Sequence, residues 1–405
     1  AYGGVASGHR VLGALGLTGV PIVDVEAGCA SGSAALSLAA GSISSGQYDT
    51  VLVVGIEKMG SGMIRSSFFE PWMESAGLSA GPAYFALRAR RLLDEHGLGE
   101  ADLAALVVKN RAAGVLNPDA MFNKAVTAQE VLGSRMVCDP LRLFMLCAPN
   151  EGAAAVVLRR GDLARKADPL LLAAALRSHL PGSVLDESTP LAGIDDTGIT
   201  PPSTLAAQDA YEAAGVGPEE LDVVECQDTD AARELLVWHE LGLCPAGGQS
   251  AILADGSFGP GGRLPVNQSG GLLSKGEPLG ASGIGQVVEL VRQVRGTAGP
   301  RQVEGARIGL AHTIGRGANA SVTIVGSRLP ARERGDRQNC PLRGGRIPQS
   351  RRSGVPEVEP STTRGTSWGG SLTVIPTPAI HTPTSRRDTP TPRIHTTTSR
   401  RDTPT

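Results

Sequence analysis

Aromatic residues are scarce in this chain, at 3% of its 405 residues. Surfaces that stack on bases or sugars depend on such side chains, so the composition argues against a nucleic-acid-binding or lectin-like protein. No apolar run approaches the ~20 residues that a membrane-spanning helix needs. The first residues also lack the basic and apolar segments of a secretion signal. These absences predict a soluble, cytoplasmic protein that binds neither nucleic acid nor membrane.

Cysteine is present but forms no recognisable framework. The thiols include no Cys-x-x-Cys pair and no metal-ligand spacing with histidine, so we expect no disulfide network and no metal site. They are Cys29, Cys138, Cys147, Cys226, Cys244 and Cys340. We expect all but one to be small packing residues or a thiol of the C-terminal tail. Cys29 differs because of the residues around it.

The formal net charge of −2 hides two unlike parts of the chain. Residues 328–405 contain 14 Arg, no Lys and 6 acidic residues, a net charge of +8, whereas residues 1–327 have a net charge of −10. The tail is rich in Pro, Thr, Ser and Arg, and its segment 380–391 recurs at 394–405 with one change. Its few apolar residues cannot offset the entropy cost of ordering. We therefore predict a disordered tail, in preference to a basic arm for nucleic acid or an anionic membrane.

Apolar runs and helical patterns alternate through the rest of the chain and predict layered α/β halves with buried, mostly parallel sheets. The N-terminal half is predicted at 1–165, with a loop domain at 57–150, and the C-terminal half at 166–327. Strands are expected at 21–26, 50–56, 152–158, 221–225, 306–313 and 320–325. Helices are expected at 34–43, 83–95, 203–214, 231–243 and 281–295.

Cys29 lies where the first predicted strand turns into the first predicted helix, directly after Gly28. Glycine permits a sharp turn, a helix N-terminus stabilises a thiolate, and the free amides there can bind an oxyanion. A thiolate is the nucleophile that thioester exchange requires. The alternative interpretation is a small buried residue that packs the helix onto the sheet.

The segment Glu-Ala-Gly-Cys-Ala-Ser-Gly-Ser-Ala-Ala at 26–35 resembles the nucleophile segment of thiolases, above all the sterol-carrier-protein-type thiolases and thiolase-like lipid-transfer proteins. Further segments resemble the family in the same order, at 136–141, 150–155, 213–225, 267–283 and 312–317. The resemblance implies a duplicated α/β fold of five layers, α/β/α/β/α, which is usually dimeric and acts on coenzyme A thioesters. Thiolases have a strand–helix segment before the part matched here, so that first segment is expected to be missing.

Three residues around the nucleophile depart from the thiolase pattern. Glu277, in Gly-Glu-Pro, stands where thiolases have the histidine of a Gly-His-Pro motif, which takes the thiol proton. Gln227 and Asp228 follow Cys226 where an Asn-Glu-Ala-Phe or His-Asp-Cys-Phe segment shapes the oxyanion hole. Thr313 replaces the second cysteine of a Cys-x-Gly motif. Of the usual reacting residues, the resemblance leaves only Cys29 unchanged.

The resemblance implies roles for these positions. Cys29 would form an acyl-enzyme, Gln227 would donate to a thioester oxygen, and Glu277 would accept the proton if burial raises its pKa. Asp228 or a water is an alternative base, because the Thr313 hydroxyl is too weak an acid to exchange an α-proton. The oxyanion and the substrate would be held by the Cys29 amide together with Gly315, Gly317, Ser269, Gly270 and Gly271.

The resemblance also implies a substrate class and partners. We expect acyl transfer on a 3-ketoacyl-CoA, by thiolytic cleavage or Claisen condensation, in the degradation of lipid, steroid or aromatic acyl-CoAs. Coenzyme A is then a substrate rather than a bound cofactor, held by basic residues such as Lys58, Arg65 and Lys275. A homodimer is expected, and some relatives work with a small OB-fold protein. A retro-aldolase acting on a 3-hydroxyacyl-CoA side chain and a non-catalytic acyl-CoA or lipid carrier are the alternatives.

Overall fold

The computed structural model describes residues 6–58, 72, 75, 81–165, 167–180, 199–315, 319–327 and 372–376. The helices with described bounds are α1 Ser7–Ala14, α2 Ser31–Ser44, α3 Gly81–His96, α4 Glu100–Val115, α5 Ala128–Gly133, α6 Pro202–Ala214, α7 Ala231–Glu240, α8 Gln249–Asp255, α9 Gly271–Lys275 and α10 Leu279–Arg295. The strands are β1 Thr50–Glu57, β2 Met136–Cys138, β3 Leu141–Arg142, β4 Gly152–Arg160, β5 Leu170–Arg177, β6 Val223–Cys226, β7 Ile308–Ile314, β8 Ala320–Gly326 and β9 Leu372–Pro376.

Strands from both predicted halves join one mixed sheet, which has seven strands in the described part of the chain, in the order β1-β4-β9-β5-β8-β7-β6. Among the described strands of this sheet, only β6 and β7 pair in parallel, with Val223 opposite Gly309, and the other pairs are antiparallel. The prediction of mostly parallel pairing is therefore wrong. Alternation of strands and helices in a sequence does not fix strand direction, because that depends on how each connection returns to the sheet.

The predicted tail contributes a strand to this sheet. β9 pairs with β4, where Val157 lies opposite Ile375, and with β5, where Leu170 lies opposite Thr373. Val374 is fully buried among the apolar residues of the sheet. The prediction of disorder is wrong for Leu372–Pro376. It rests on the average composition of a long polar tail, and that average does not show a single short apolar run that can pair with strands of a sheet.

The strand predicted at 21–26 is not formed. The backbone there has no ladder partner among the described residues, and only an isolated bridge joins Ala27 to Cys29. Val23 is 78% exposed, so this apolar segment lies at the surface rather than inside the sheet. A strand needs a neighbour to satisfy its amides, and an apolar, β-branched sequence alone does not supply one.

Both faces of the sheet are covered, and each face has its own core. Neighbouring residues such as Val223 and Val224, or Leu310 and Ala311, belong to different hydrophobic clusters, as expected when successive side chains point to opposite faces. The helices α2 and α10 contribute to one core, and α3, α4, α6 and α7 contribute to the other. The layered α/β arrangement expected from the sequence is therefore present. In the described part of the chain, no helix is both long and apolar enough to cross a membrane.

The contact between α2 and α10 depends on glycine. An added Cβ at Gly32 would lie 2.8 Å from the carbonyl oxygen of Gly280 and 2.9 Å from Ile284 Cγ1. Real Cβ atoms do not approach backbone oxygen this closely, so the two helices would have to separate. Close packing of α2 on α10 therefore requires glycine at position 32.

We expect Gly32→Ala to lower the free energy of unfolding by about 1–3 kcal/mol, the usual cost of overpacking a core. Gly41→Ala is the matched control, because Gly41 lies in the same helix and an added Cβ meets no atom within 4 Å. Its gain in helix propensity should leave stability unchanged or raise it by up to about 1 kcal/mol. Chemical denaturation compares the two variants. Equal effects of both would contradict the close contact.

Candidate active site

Cys29 lies in a tight turn that leads directly into α2. Gly28 has a φ of 58°, in the left-handed region that glycine favours. The Gly28 amide donates to Glu26 Oε1 at 2.8 Å, and the Ser31 hydroxyl donates to the Gly28 carbonyl at 2.7 Å. These bonds fix the turn on both sides, so the half-buried Cys29 is held just before the N-terminus of the helix.

Glu277 lies between α9 and α10, on a loop that runs beside residues 147–150. Its amide donates to the Ala148 carbonyl at 2.9 Å, and its carbonyl accepts from the Asn150 amide at 3.4 Å. The Glu277 residue is only 4% exposed. Backbone hydrogen bonds at this residue therefore join two loops that are far apart in the sequence.

Three side chains interact with the Glu277 carboxylate. Cys147 Sγ lies 3.0 Å from Oε2 and Gln227 Nε2 lies 3.3 Å from Oε1. The third is the Cys29 thiol, and hydrogen bonding with it lowers the pKa of Glu277. Burial raises the pKa of Glu277 above its ordinary value, and the three hydrogen bonds oppose part of that rise. We call Cys29, Cys147, Gln227 and Glu277 the Glu277 cluster. The structure thus brings together three of the residues to which the sequence assigned catalytic roles.

Gln227 is oriented by the end of β7. Its Oε1 accepts from the Ile314 amide at 2.5 Å, which leaves Nε2 to donate to Glu277. An amide nitrogen carries two hydrogens, so Nε2 has a second one beyond the bond to Glu277. That second hydrogen is the group that the predicted oxyanion role requires, and the role itself stays a prediction.

Cys147 is the member of the cluster that sequence reasoning missed. The sequence predicts a packing residue at this position, yet the Cys147 thiol faces Glu277 and its amide donates to the Thr229 carbonyl at 2.9 Å. Burial raises the pKa of the Cys147 thiol well above its ordinary value, and the Glu277 carboxylate raises it further. The one sequence feature that could have pointed to Cys147 is its position just before the thiolase-like segment 150–155. That segment predicts a strand but does not show that the preceding loop meets residue 277.

Asp228 makes its hydrogen bonds at the start of α9. Oδ1 accepts from the Leu272 amide at 2.6 Å, and Oδ2 accepts from the Leu273 amide at 3.1 Å and from Asn110 Nδ2 at 2.9 Å. Burial, and then the nearby Glu234, raise the pKa of Asp228 well above its ordinary value. Both oxygens serve structural donors, so these contacts favour a role in holding α9 over the predicted role as a base.

The hydroxyl of Thr313, a residue of β7, makes hydrogen bonds to the two helices that cover this face of the sheet. Its hydroxyl donates to Gln286 Oε1 at 2.8 Å and accepts from the Ser33 hydroxyl at 3.3 Å. Thr313 is 1% exposed. These bonds tie β7 to α10 and α2, and none of them reaches the Glu277 cluster.

The oxyanion donors predicted after β7 are only partly described. The Gly315 amide donates to the Asn319 carbonyl at 2.9 Å, which closes the connection between β7 and β8. Gly317 lies outside the described residues. The Gly315 amide is therefore used within the protein rather than directed at a substrate.

The segment 269–271 is held by close packing. The Ser269 amide and hydroxyl donate to the buried Glu225 carboxylate at 2.9 and 2.5 Å. Gly270 has a φ of 92°, and a Cβ there would lie 2.7 Å from Gly114 Cα. Gly271 also has a left-handed φ, of 60°, at the first residue of α9. These contacts explain the residue types in structural terms, and the predicted substrate-binding role stays a prediction.

A small cavity lies next to the loop that carries Glu277. Its volume is about 100 Å³, and both Gly276 and Pro278 line it, together with Ser269 and Lys275. The Lys275 ammonium lies 3.5 Å from the Glu225 carboxylate, which neutralises part of its charge. Of the described basic residues that the sequence predicts to bind coenzyme A, Lys275 is the one that lines this cavity.

Of the two other expected cations, only Lys58 belongs to the described part of the chain. Lys58 is exposed and pairs with Glu151 at 3.1 Å, and Arg65 is outside the described residues. His312 is buried with its Nε2 3.0 Å from the Ser203 hydroxyl, and burial lowers its pKa well below the ordinary value. Within the described ranges, no group of three or more His, Cys, Asp or Glu side chains is arranged to hold a metal ion.

Comparison with known protein families identifies two matching models along the chain. Residues 3–162 match the thiolase N-terminal domain, and residues 190–328 match a model described as thiolase C-terminal domain-like. The two matches lie in the order that the sequence motifs predict, and the Glu277 cluster takes residues from both.

Individual relatives match over most of the chain. An acetyl-CoA acetyltransferase from Methanothermobacter thermautotrophicus is 38% identical over 316 residues, which is 76% of this chain and 81% of the relative. Sterol carrier protein 2 from Oryctolagus cuniculus is 35% identical over 349 residues, 81% of this chain, and the match spans only 63% of that protein. The solved structure of an Ltp2-ChsH2(DUF35) aldolase aligns with a TM-score of 0.67 at 26% identity, covering 76% of this chain and 79% of the other.

Proposed function

The chain belongs to the thiolase family and has a thiolase-like α/β fold, and from that premise we propose that it is an acyl-CoA acyltransferase with Cys29 as its nucleophile. The observation that carries the proposal is the Glu277 cluster, in which the buried carboxylate that accepts from Gln227 Nε2 at 3.3 Å lies beside the Cys29 thiol. The proposed substrate is a 3-ketoacyl-CoA of lipid, steroid or aromatic origin. The reaction is its thiolytic cleavage by coenzyme A, or the reverse Claisen condensation.

Acylation begins with proton transfer. Cys29 gives its thiol proton to Glu277, whose raised pKa makes the carboxylate a better acceptor than an exposed one. The thiolate sulfur bonds to the C3 carbonyl carbon, and the C2–C3 bond then breaks. The electron pair stays on C2, which leaves as the enolate of acetyl-CoA and must receive a proton. The acyl group remains on Cys29 as a thioester.

Deacylation reverses the first step with a new thiol. Coenzyme A gives its thiol proton to ionised Glu277, and its sulfur attacks the acyl carbon. Cys29 leaves as a thiolate and takes the proton back from Glu277. The Gln227 Nε2 hydrogen stabilises the negative charge that develops on the thioester oxygen in both half-reactions.

The acyl-enzyme provides the direct test of this proposal. Incubation with a panel of acyl-CoAs, beginning with acetyl-CoA, is expected to add one acyl mass to the wild-type protein and none to Cys29→Ala. Intact-protein mass spectrometry measures the adduct. Cys138→Ser is the control, because this half-buried thiol of β2 is not in the Glu277 cluster and should leave the adduct unchanged. Tight acyl-CoA binding with no adduct on the wild-type protein would favour the carrier alternative.

Retro-aldol cleavage is the second candidate function, because the solved structure that aligns at 26% identity is an aldolase. That reaction would release an aldehyde or ketone from a 3-hydroxyacyl-CoA and requires no cysteine nucleophile. The same variant separates the two candidates. Carbonyl release that persists in Cys29→Ala would replace acyl transfer as the function.

The assembly that we propose is a cytoplasmic homodimer. The aligned aldolase is named as Ltp2 together with ChsH2(DUF35). That name supports a search for a small OB-fold partner of this chain, and acyl-CoA and coenzyme A remain the proposed small-molecule partners.

A further inference from the structure

The proposed reaction needs a proton donor for C2, and Thr313 does not fit that role. An alcohol is a far weaker acid than a thiol, so it is the poorer proton donor to C2, and its alkoxide does not form at neutral pH to remove the α-proton in the reverse direction. The Thr313 hydroxyl proton is moreover directed at Gln286, 2.8 Å away. The donor must therefore be another group beside Cys29, because C2 is one bond from the carbon that Cys29 attacks.

Cys147 meets this geometric requirement. Its Sγ lies 3.0 Å from Glu277 Oε2, and the Cys29 thiol lies beside the same carboxyl group and lowers its pKa. The position is fixed from the backbone, since the Cys147 amide donates to Thr229 and the Glu277 amide donates to Ala148, each at 2.9 Å. Two thiols from distant segments therefore share one buried carboxylate, and Cys147 remains half-buried rather than sealed in the core.

The environment of Cys147 suits an acid rather than a second nucleophile. Burial and the Glu277 carboxylate both raise the pKa of its thiol, and Asp228 and Cys29 add to the rise. Cys147 consequently keeps its proton at neutral pH, while Cys29 can lose one to Glu277. A group that holds a proton until a strong base forms beside it is what protonation of an enolate requires.

We propose that Cys147 is the acid that protonates C2 of the departing acetyl-CoA, an inference that rests on the proposed acyl transfer. The Cys147 S–H bond breaks as the C2–H bond forms, and the enolate becomes acetyl-CoA. The resulting Cys147 thiolate takes from Glu277 the proton that Cys29 had given up. Glu277 is then ionised again and ready to accept the proton of coenzyme A. In the condensation direction, the Cys147 thiolate removes the α-proton of acetyl-CoA.

Exchange of the acetyl-CoA methyl hydrogens in D₂O tests this step, and the acetyl adduct on Cys29 tests acyl transfer separately. We expect Cys147→Ser and Cys147→Ala both to slow the exchange by about 10²-fold, a typical contribution of general acid–base catalysis. Both variants should still form the adduct on Cys29, because acyl transfer from acetyl-CoA replaces one carbon–sulfur bond with another and moves no proton at C2. Cys138→Ser should exchange and acylate like wild type.

The serine variant separates proton transfer from a structural role. Serine keeps a hydroxyl that can donate to Glu277, so a merely structural hydrogen bond would be preserved in Cys147→Ser. Exchange at the wild-type rate in that variant would overturn the proposal, as would a wild-type protein that forms the adduct but exchanges no deuterium. Loss of both the adduct and the exchange in wild type would instead refute the proposed acyl transfer, and this inference with it.

Discussion

Replacing Glu277 with Gln is expected to lower kcat/KM for thiolytic cleavage by about 10³- to 10⁴-fold, near the upper end of what a positioned general base contributes. The effect should be large because Glu277 accepts the proton of Cys29 in acylation and that of coenzyme A in deacylation. Glutamine has nearly the same size and can still hydrogen-bond to Gln227, but it accepts no proton at neutral pH. Steady-state kinetics with acetoacetyl-CoA and coenzyme A measures the loss.

The pH dependence of the same reaction gives a second measurement. Glu277 must be ionised to accept a proton, so activity falls as the pH drops through its pKa in the folded protein. Burial raises that pKa, and the acid limb of kcat/KM should therefore lie above about pH 4.3, where an exposed glutamate titrates. Glu277→Gln removes the group, so the residual activity of the variant should lack this limb.

Glu151→Gln is the matched control for Glu277→Gln. Glu151 is also a carboxylate of the adjoining loops, but its side chain is 57% exposed and pairs with Lys58 at the surface. Its replacement should change kcat/KM by no more than about twofold, since exposed ion pairs contribute little. Wild-type activity in Glu277→Gln, or an equal loss in both variants, would contradict the role of Glu277.

The parts of the site that the sequence predicts are those carried by a motif. Glu277 and Gln227 occupy positions where the thiolase resemblance expects reacting groups. They hydrogen-bond to each other, and Glu277 lies beside Cys29. Cys147 belongs to no such motif, and it reaches Glu277 across a separation of 130 residues. Asp228 shows the reverse error: it adjoins Gln227 in the chain, yet its carboxylate holds the first amides of α9. Sequence adjacency does not fix which way two successive side chains point when the chain leaves a strand.

The fold shows the same division between local and long-range information. The long helix predicted at 281–295 is found as Leu279–Arg295, and the strand at 306–313 as Ile308–Ile314, because both patterns are continuous and end at clear breaks. Such local patterns do not determine which strands pair with each other. The segment at 21–26 has a strand-like sequence without a partner, whereas Leu372–Pro376 lies in a polar tail and finds partners on both sides.

Replacing Arg88 with Met is expected to lower the free energy of unfolding by about 3–5 kcal/mol, the usual cost of removing one partner from a buried ion pair. Arg88 Nη2 lies 2.5 Å from Asp230 Oδ2, and the two side chains are 12% and 0% exposed. Asp230 also caps α7, where its Oδ1 accepts from the Arg233 amide at 2.9 Å. Without Arg88 the carboxylate stays buried with no cation to balance it. Urea denaturation measures the loss.

Arg91→Met is the matched control, because Arg91 lies on the same helix and pairs with Glu95 at the surface. Its removal should cost no more than about 0.5 kcal/mol. Arg88→Met/Asp230→Asn should recover part of the stability lost in Arg88→Met, because it removes the uncompensated charge as well. Similar losses from Arg88→Met and Arg91→Met would be inconsistent with a buried pair. The backbone of Asp230 also forms an isolated β-bridge with Leu146, the neighbour of Cys147. If Arg88→Met lowers the stability as expected, it should therefore also loosen the segment that brings the Cys147 thiol to Glu277.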